Sequence, residues 1–460
     1  MVENVLPHDI NVGGIWPYFL IRSFFQLRFN NLAIHYFFWL FIYLFPALKW
    51  VQGGVGTAQK VLHLIIFLFV VTLVLIKKPA KPDRKIIYFL LTYLLVTVPY
   101  YILTTLAYTS DLSWQDTTDF TRPFVYLLYL FIPLLYPISG EQLKSLMKFF
   151  IIACLIQIVF SAFVYFPALW GVADIYKGRM SDDSVVFHFF RWSGTYGYPS
   201  DFAFYLSFFI YYQYFKLVDA KKQFQSKDWL FVFVLFLALF LTLSRGGIGT
   251  VIIMLGLSYL FGRGRKSKAV NLTLVAIIVA SVFAITSVSL SDEKNNMLKV
   301  EYLESMFEGD EMDDSTSHRV KEMDIAVEFF EECFPFGCGS NRIGIKKRIA
   351  VLESLYGYHM AKWGAFGLVL YFIFLFWIID ILKVTARNYE RGSFESIFSY
   401  ATLLLVVSIP IAFGFSSAMS DRFKALPLYY LFVGYVINLY LIKKRQMKIT
   451  EEKTNLEGKH

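Results

Sequence analysis

Three arginines, a carboxylate and a histidine are the residues of this chain whose types and settings point to chemistry. Arg245 lies in Leu241-Thr242-Leu243-Ser244-Arg245-Gly246-Gly247-Ile248, a turn between two apolar stretches long enough to enter a membrane. A guanidinium at that depth is costly unless an anionic or polar group meets it. Arg191 opens Arg191-Trp192-Ser193-Gly194-Thr195-Tyr196-Gly197-Tyr198-Pro199-Ser200, where glycines, a proline and aromatics make a compact platform before another apolar run, and Arg319 lies in a long polar segment. Guanidinium groups grip diphosphate oxygens bidentately, each charge-assisted bond contributing about 1.5–3 kcal/mol net. Two or three together can hold a lipid diphosphate without metal. In Glu353-Ser354-Leu355-Tyr356-Gly357-Tyr358-His359, Glu353 or His359 is the candidate general base, because a desolvated carboxylate or an imidazole takes a proton from a hydroxyl. Trp192, Tyr196, Tyr356 and Tyr358 offer ring faces on which sugars can stack. Each residue also has a plainer reading, as a snorkelling arginine, a helix-start carboxylate, a surface histidine or an interfacial aromatic. The last carries weight in a chain that is 19% aromatic, where any loop collects rings.

The elements that must position these residues are membrane helices. Of 460 residues 57% are hydrophobic and only 17% charged, and the mean hydropathy is +0.53. A soluble fold of this size needs more charge to cover its surface, and the apolar residues come in blocks rather than amphipathic stripes. The fold class predicted is an all-α polytopic membrane protein. Apolar windows give about twelve spans, near 32–50, 61–76, 86–107, 124–138, 149–170, 202–217, 229–243, 247–262, 269–290, 365–383, 398–418 and 427–443, the fourth extending or breaking at Pro133 and Pro137. Residues 1–460 then form a single transmembrane domain. Alternate loops are rich in basic residues, from Lys77, Lys78, Lys81, Arg84 and Lys85 through Lys216, Lys383, Arg387 and Arg391 to Lys443-Lys444-Arg445. The positive-inside rule puts those loops and both termini in the cytoplasm. Residues 1–31 read as a cytoplasmic or interfacial N-terminus without a cleavable signal, and 444–460 as a cytoplasmic tail. The net charge of +9 is thereby an orientation signal, not one for nucleic acid. Residues 291–364 form a long extracytoplasmic loop, partly helical, since Met323, Ala326, Phe329 and Phe330 recur at three and four from Val320 to Glu332. Cys333 and Cys338 are close enough for a small disulfide around Pro335 and Gly337, a pairing that the unknown redox compartment leaves open.

Several chemistries lack their residues. There is no GxxxxGK[ST] phosphate loop, and Gly337-Cys338-Gly339 is too little for a dinucleotide fingerprint. His188, His318 and His359 lack ligand spacing for zinc, and Asp310-Glu311-Met312-Asp313-Asp314 lacks the glycine and terminal glutamate of a calcium loop. The first outer loop, Lys49 to Lys60, holds no acid for a metal-dependent transferase. No cofactor and no metal are expected.

Three separated segments together resemble the O-antigen polymerase and ligase superfamily of bacterial envelope enzymes. They are Arg191 to Asp201 leading into Phe202-Ala203-Phe204-Tyr205, the Ser244-Arg245-Gly246 turn, and the stretch from His318-Arg319 through Pro335-Phe336-Gly337-Cys338-Gly339 to Glu353-Ser354-Leu355-Tyr356 and Gly364-Ala365-Phe366-Gly367. The likeness covers roughly residues 185–370, and the first five spans add only hydropathy. Where ligases of this group show His-Asn, this chain has Glu353-Ser354, and Ser200 stands where Asn is usual. That departure tilts the resemblance toward a Wzy-type polymerase. The resemblance implies a GT-C-like membrane fold in the bacterial inner membrane, with its site on the extracytoplasmic face. The implied reaction polymerises undecaprenyl-diphosphate-linked oligosaccharide repeat units into O-antigen, capsule or exopolysaccharide. Arg191, Arg245 and Arg319 would stabilise the departing diphosphate, and Glu353 or His359 would deprotonate the acceptor. The implied partners are the lipid-linked oligosaccharide, the bilayer and a chain-length regulator. The alternatives are a ligase that transfers finished glycan and, from another class, a secondary transporter or lipid-linked oligosaccharide flippase.

Overall fold

The computed structural model describes residues 30–45, 54–109, 114–176, 191–196, 198–219, 226–261, 314–349, 352, 354–413 and 424–457. Of Arg245 and Arg319 it describes the backbone only, and Glu353 and the expected span at 269–290 lie outside the described residues. Helices make up the fold, with no strand among the described residues. In chain order they are α1 (Asn31–Leu44), α2 (Gly54–Ile76), α3 (Arg84–Tyr108), α4 (Trp114–Leu135), α5 (Gly140–Ser161), α6 (Trp170–Tyr176), α7 (Pro199–Asp219), α8 (Ser226–Leu241), α9 (Arg245–Phe261), α10 (Asp314–Glu332), α11 (Arg342–Arg348), α12 (Leu355–Asn388), α13 (Phe394–Ser408) and α14 (Ala425–Glu457). A π-helical turn, Ile409–Phe413, follows α13.

The starts of these helices are written locally. Asp83 caps α3 by accepting from the N–H groups of Lys85 and Ile86, Ser139 and Gln142 form a capping box on α5, and Ser354 and Ser393 cap α12 and α13. Helix α4 continues through Pro133 and stops before Pro137, as the steric demand of proline on its predecessor requires. The predicted period over 320–332 is the buried stripe of α10, with Ala326 and Phe329 inside and the helix packed on α12.

Five described helices are long and apolar enough to cross a membrane: Arg84–Tyr108, Gly140–Tyr165, Leu355–Asn388, Phe394–Ile411 and Ala425–Glu452. Four shorter apolar helices, Asn31–Leu44, Val61–Ile76, Pro123–Leu135 and Gly246–Ser258, stand beside them. On the longer ones large apolar side chains face outward, Leu95 at 73% exposure and Phe376 at 62%, a surface suited to lipid and not to water. Helix α7 differs from these. Every side chain from Asp201 to Tyr214 is buried, so it is a hub enclosed by protein, in contact with α8, α9, α13 and α14. Phe208 stacks on Phe432 of α14 at 4.0 Å. Its tyrosines, serine and glutamine lower its hydropathy because its neighbours are side chains rather than acyl chains.

Contacts sort the helix ends into two groups. At one end Arg391 pairs with Asp219 at 2.6 Å, Lys216 with Asp228 at 2.7 Å and Lys444 with Asp83 at 3.0 Å. Asn31 and Asn438 donate to the carbonyls of Pro137 and Ile138 in the same group. At the other end the C-termini of α1, α5 and α8 meet the segment before α7 and the start of α14. The basic residues Lys216, Arg391 and Lys444 therefore share an end, as the charge alternation predicted, and the Arg191 platform lies at the other.

Candidate functional site

The segment 191–196 is held by bonds to five parts of the chain. Arg191 donates from Nε to the carbonyl of Thr242 at 2.9 Å and from Nη2 to that of Leu243 at 2.7 Å. These carbonyls end α8 with no intrahelical partner of their own. The backbone N–H of Trp192 adds a bond to the Leu241 carbonyl at 3.0 Å. On the α5 side, Gln157 Oε1 accepts from Thr195 N at 2.6 Å and Ser161 Oγ from Gly194 N at 2.8 Å. Thr195 Oγ1 donates to the Tyr43 carbonyl of α1 at 2.9 Å.

Lys424, fully buried just before α14, closes the platform. Its Nζ donates to the Tyr43 and Thr195 carbonyls at 3.0 and 2.9 Å and lies 5.2 Å from the centre of the Tyr176 ring. Burial drives its pKa well below the ordinary lysine value, while the carbonyl oxygens favour the charged form. Lys424 was not singled out in the sequence, where it follows Asp421 and Arg422 as one more loop charge.

This geometry changes the part expected of three residues. Two of the five donors of Arg191 are committed to the backbone immediately before Arg245, so Arg191 braces the Leu243-Ser244-Arg245 turn. Leu243 there has a φ of 49°, an unusual conformation for a branched side chain. Tyr196 is 1% exposed and packs between Phe202 and Tyr205 at 5.9 and 5.3 Å. Trp192 is buried too, its indole N–H on the Tyr165 hydroxyl. Both rings are core, because the platform folds inward against α7, and neither offers a face to a sugar. The chain brings Arg191 and Arg245 to one corner. Arg319 stands on α10, and its side chain lies outside the described residues.

The second constellation sits at the start of α12. Ser354 Oγ caps the helix on Gly357 N at 2.8 Å, and the buried carboxylate of Glu322 on α10 accepts from Ser354 N at 2.6 Å. Glu322 thus fixes the residue next to Glu353, a role its place in a generally acidic segment concealed. Tyr356 donates to the Pro410 carbonyl at 2.7 Å, tying α12 to the π-turn. Cys333 and Cys338 are disulfide-bonded, and their hairpin lies against the kink of α12. Cys338 N and Gly339 N bond the Ala361 and Lys362 carbonyls at 2.9 Å each, and Ala365 N bonds that of Pro335 at 2.9 Å. At the kink Gly364 has a φ of 58°, where a Cβ would strike the Pro335 carbonyl. Only glycine fits there.

Between α3, α4, α12, the π-turn and α14 opens a cavity of about 760 Å³, counted out through its mouth. Tyr93 and Tyr101 of α3, Tyr126 of α4, Tyr358 and Tyr371 of α12, and Tyr429 and Tyr430 of α14 line it, together with His359 and Trp363. His359 is 8% exposed and its Nδ1 has no hydrogen-bond partner. Its ring lies 5.0 Å from that of Tyr371 and edge-on to Tyr358. Of the residues proposed from sequence, His359 and Tyr358 reach this cavity. The tyrosines of α3, α4 and α14 were not foreseen, since they stand far apart in the chain among many similar residues.

Residues 230–372 match the family model described as O-antigen ligase (Wzy_C). This stretch runs from α8 through the Arg245 turn and α10 to the first half of α12, and so includes the brace target of Arg191, the disulfide hairpin and His359. No curated protein matches the chain.

Proposed function

From a chain that belongs, on residues 230–372, to the O-antigen polymerase and ligase superfamily, we propose an extracytoplasmic-face glycosyltransferase of the bacterial inner membrane. It polymerises undecaprenyl-diphosphate-linked oligosaccharide repeat units into surface polysaccharide, with about twelve spans and the segment 291–364 outside. The observation that carries this reading is His359, a buried imidazole whose Nδ1 has no hydrogen-bond partner, on the wall of a cavity within the stretch that matches the family. A bridged Cys333–Cys338 pair suits an oxidising compartment and supports the outward placement of this loop.

The acceptor hydroxyl oxygen attacks the anomeric carbon of the donor glycan, and the bond from that carbon to the diphosphate oxygen breaks. The electron pair leaves with the lipid diphosphate, and the hydroxyl proton passes to His359, with Glu353 the alternative base. Arg245 and Arg319 meet the departing charge, and Arg191 serves by holding the Arg245 turn. Donor bond energy drives the step.

The ligase reading is favoured by the description of the matching family, and the polymerase reading by Glu353-Ser354 in place of His-Asn. Deleting the gene separates them. Loss of a polymerase leaves surface glycan of single repeat units, whereas loss of a ligase leaves full-length chains on the lipid carrier. A polymer ladder unchanged in the deletion strain, or restored in full by His359→Gln with Glu353→Gln, contradicts the proposal.

A further inference from the structure

We propose that the tyrosine-lined cavity is a subsite for an uncharged pyranose of the acceptor glycan, recognised by phenol hydroxyls and aromatic faces. This rests on the glycosyl-transfer reading above and adds to it the chemical class that the cavity takes. Tyr101 and Tyr429 are 4% and 5% exposed. They line the cavity with Tyr371 and Tyr430, and none of the four hydroxyls has a hydrogen-bond partner among the described residues. Nor are these four oxygens sealed from solvent, unlike the unpartnered Nε1 of Trp363 and Nδ1 of His359. Two buried and two half-buried tyrosines with unpartnered hydroxyls therefore line one space. His359 stands on the same wall.

Polar groups on a cavity wall without a protein partner suit a ligand that supplies the missing bonds in place of water. A polyprenyl tail fills an aromatic cavity but leaves every hydroxyl unpaired. A diphosphate needs cations, and neither arginine nor lysine is among the described lining residues. A pyranose fits both halves of the chemistry. Its ring hydroxyls donate and accept, and its C–H faces pack on aromatic rings such as the near-parallel pair Tyr126 and Tyr430, 5.7 Å apart. The described lining therefore suits a neutral sugar better than a uronic acid. With an acceptor sugar in the cavity, one hydroxyl lies beside the imidazole that takes its proton.

Saturation-transfer NMR on the full chain in lipid nanodiscs tests this, with the methyl pyranosides of glucose, galactose, N-acetylglucosamine and rhamnose as probes. Methyl glucuronide, farnesol and farnesyl diphosphate serve as the charged, apolar and anionic-lipid counterparts. At least one neutral pyranoside is expected to bind. Tyr371→Phe with Tyr429→Phe, which removes two hydroxyls and keeps both rings, is expected to weaken it about tenfold. Leu426→Trp, which fills the cavity, is expected to abolish it, and farnesyl diphosphate is expected to bind the double variant as it does the wild type. The double variant loses no internal hydrogen bond, so its thermal unfolding is expected to stay at the wild-type value. The inference is overturned if no neutral pyranoside binds, if the double variant binds it unchanged, if glucuronide binds as well, or if farnesol is the probe that Leu426→Trp excludes. A cavity that holds only water gives the first of these results. The glycosyl-transfer reading fails elsewhere, through an unchanged ladder in the deletion strain, so the two failures are distinguishable.

Discussion

Arg191 shows how one side chain can act through backbone that it holds in place. Its two bonds to the Thr242 and Leu243 carbonyls need the planar fork of a guanidinium, which lysine lacks. Arg191→Lys keeps the charge and loses the paired geometry, so its effect separates bracing from charge. Bracing predicts that Arg191→Lys lowers polymer output nearly as far as Arg191→Ala, and that each destabilises the purified protein by about 1.5–3 kcal/mol. Thermal unfolding in detergent, set beside glycan ladders, checks both. Full activity in the lysine variant assigns Arg191 to simple charge. His359, in contrast, makes no hydrogen bond through Nδ1, so its replacement by glutamine should slow turnover without lowering stability.

At the scale of elements, the disulfide hairpin and the broken start of α12 act as one part. Three backbone bonds join 335–339 to 361–365, and the Tyr100 hydroxyl donates toward the Phe336 and Trp363 carbonyls at 2.7 Å each. The kink turns Tyr358, His359 and Trp363 toward α3 and α14 while the rest of α12 runs on as a span. Gly364→Ala places a Cβ against the Pro335 carbonyl at a φ of 58°, so it is expected to cost about 1–3 kcal/mol of strain and to lower turnover through the displaced cavity wall. Gly249→Ala on α9, where a Cβ meets nothing, is the matched control and should do neither. Equal effects of the two would remove the special part given to the kink. Helix α10 was legible in the sequence because its apolar residues keep the helical period. The hairpin's docking was not, because backbone bonds between 335–339 and 361–365 leave no side-chain pattern.

For the whole molecule, hydropathy and charge gave the helical class and the grouping of basic helix ends, because each signal is local to its segment. The motif Arg191 to Asp201 pointed to a built structure, but sequence alone suggested a clamp and two stacking rings. The fold makes it a buried joint among α1, α5, α7, α8 and α14, with Lys424 at its centre. Aromatic content had the opposite problem. In a chain with 30 tyrosines, no spacing marks the seven that converge on the cavity from four helices. The two centres serve one reaction in this account, since Lys424 immediately precedes α14 and Leu426, Tyr429 and Tyr430 in its first turns stand on the cavity wall. Glycosyl transfer at the His359 cavity is tested most directly by reconstitution. The purified chain would be placed in liposomes with lipid-diphosphate-linked repeat units extracted from a strain lacking its gene, and the products resolved by length. The account predicts a ladder of lengthening lipid-linked chains with release of lipid diphosphate, reduced about a hundredfold or more in His359→Gln if this group is the base. Repeat units that remain single, with no lipid diphosphate released, would contradict it.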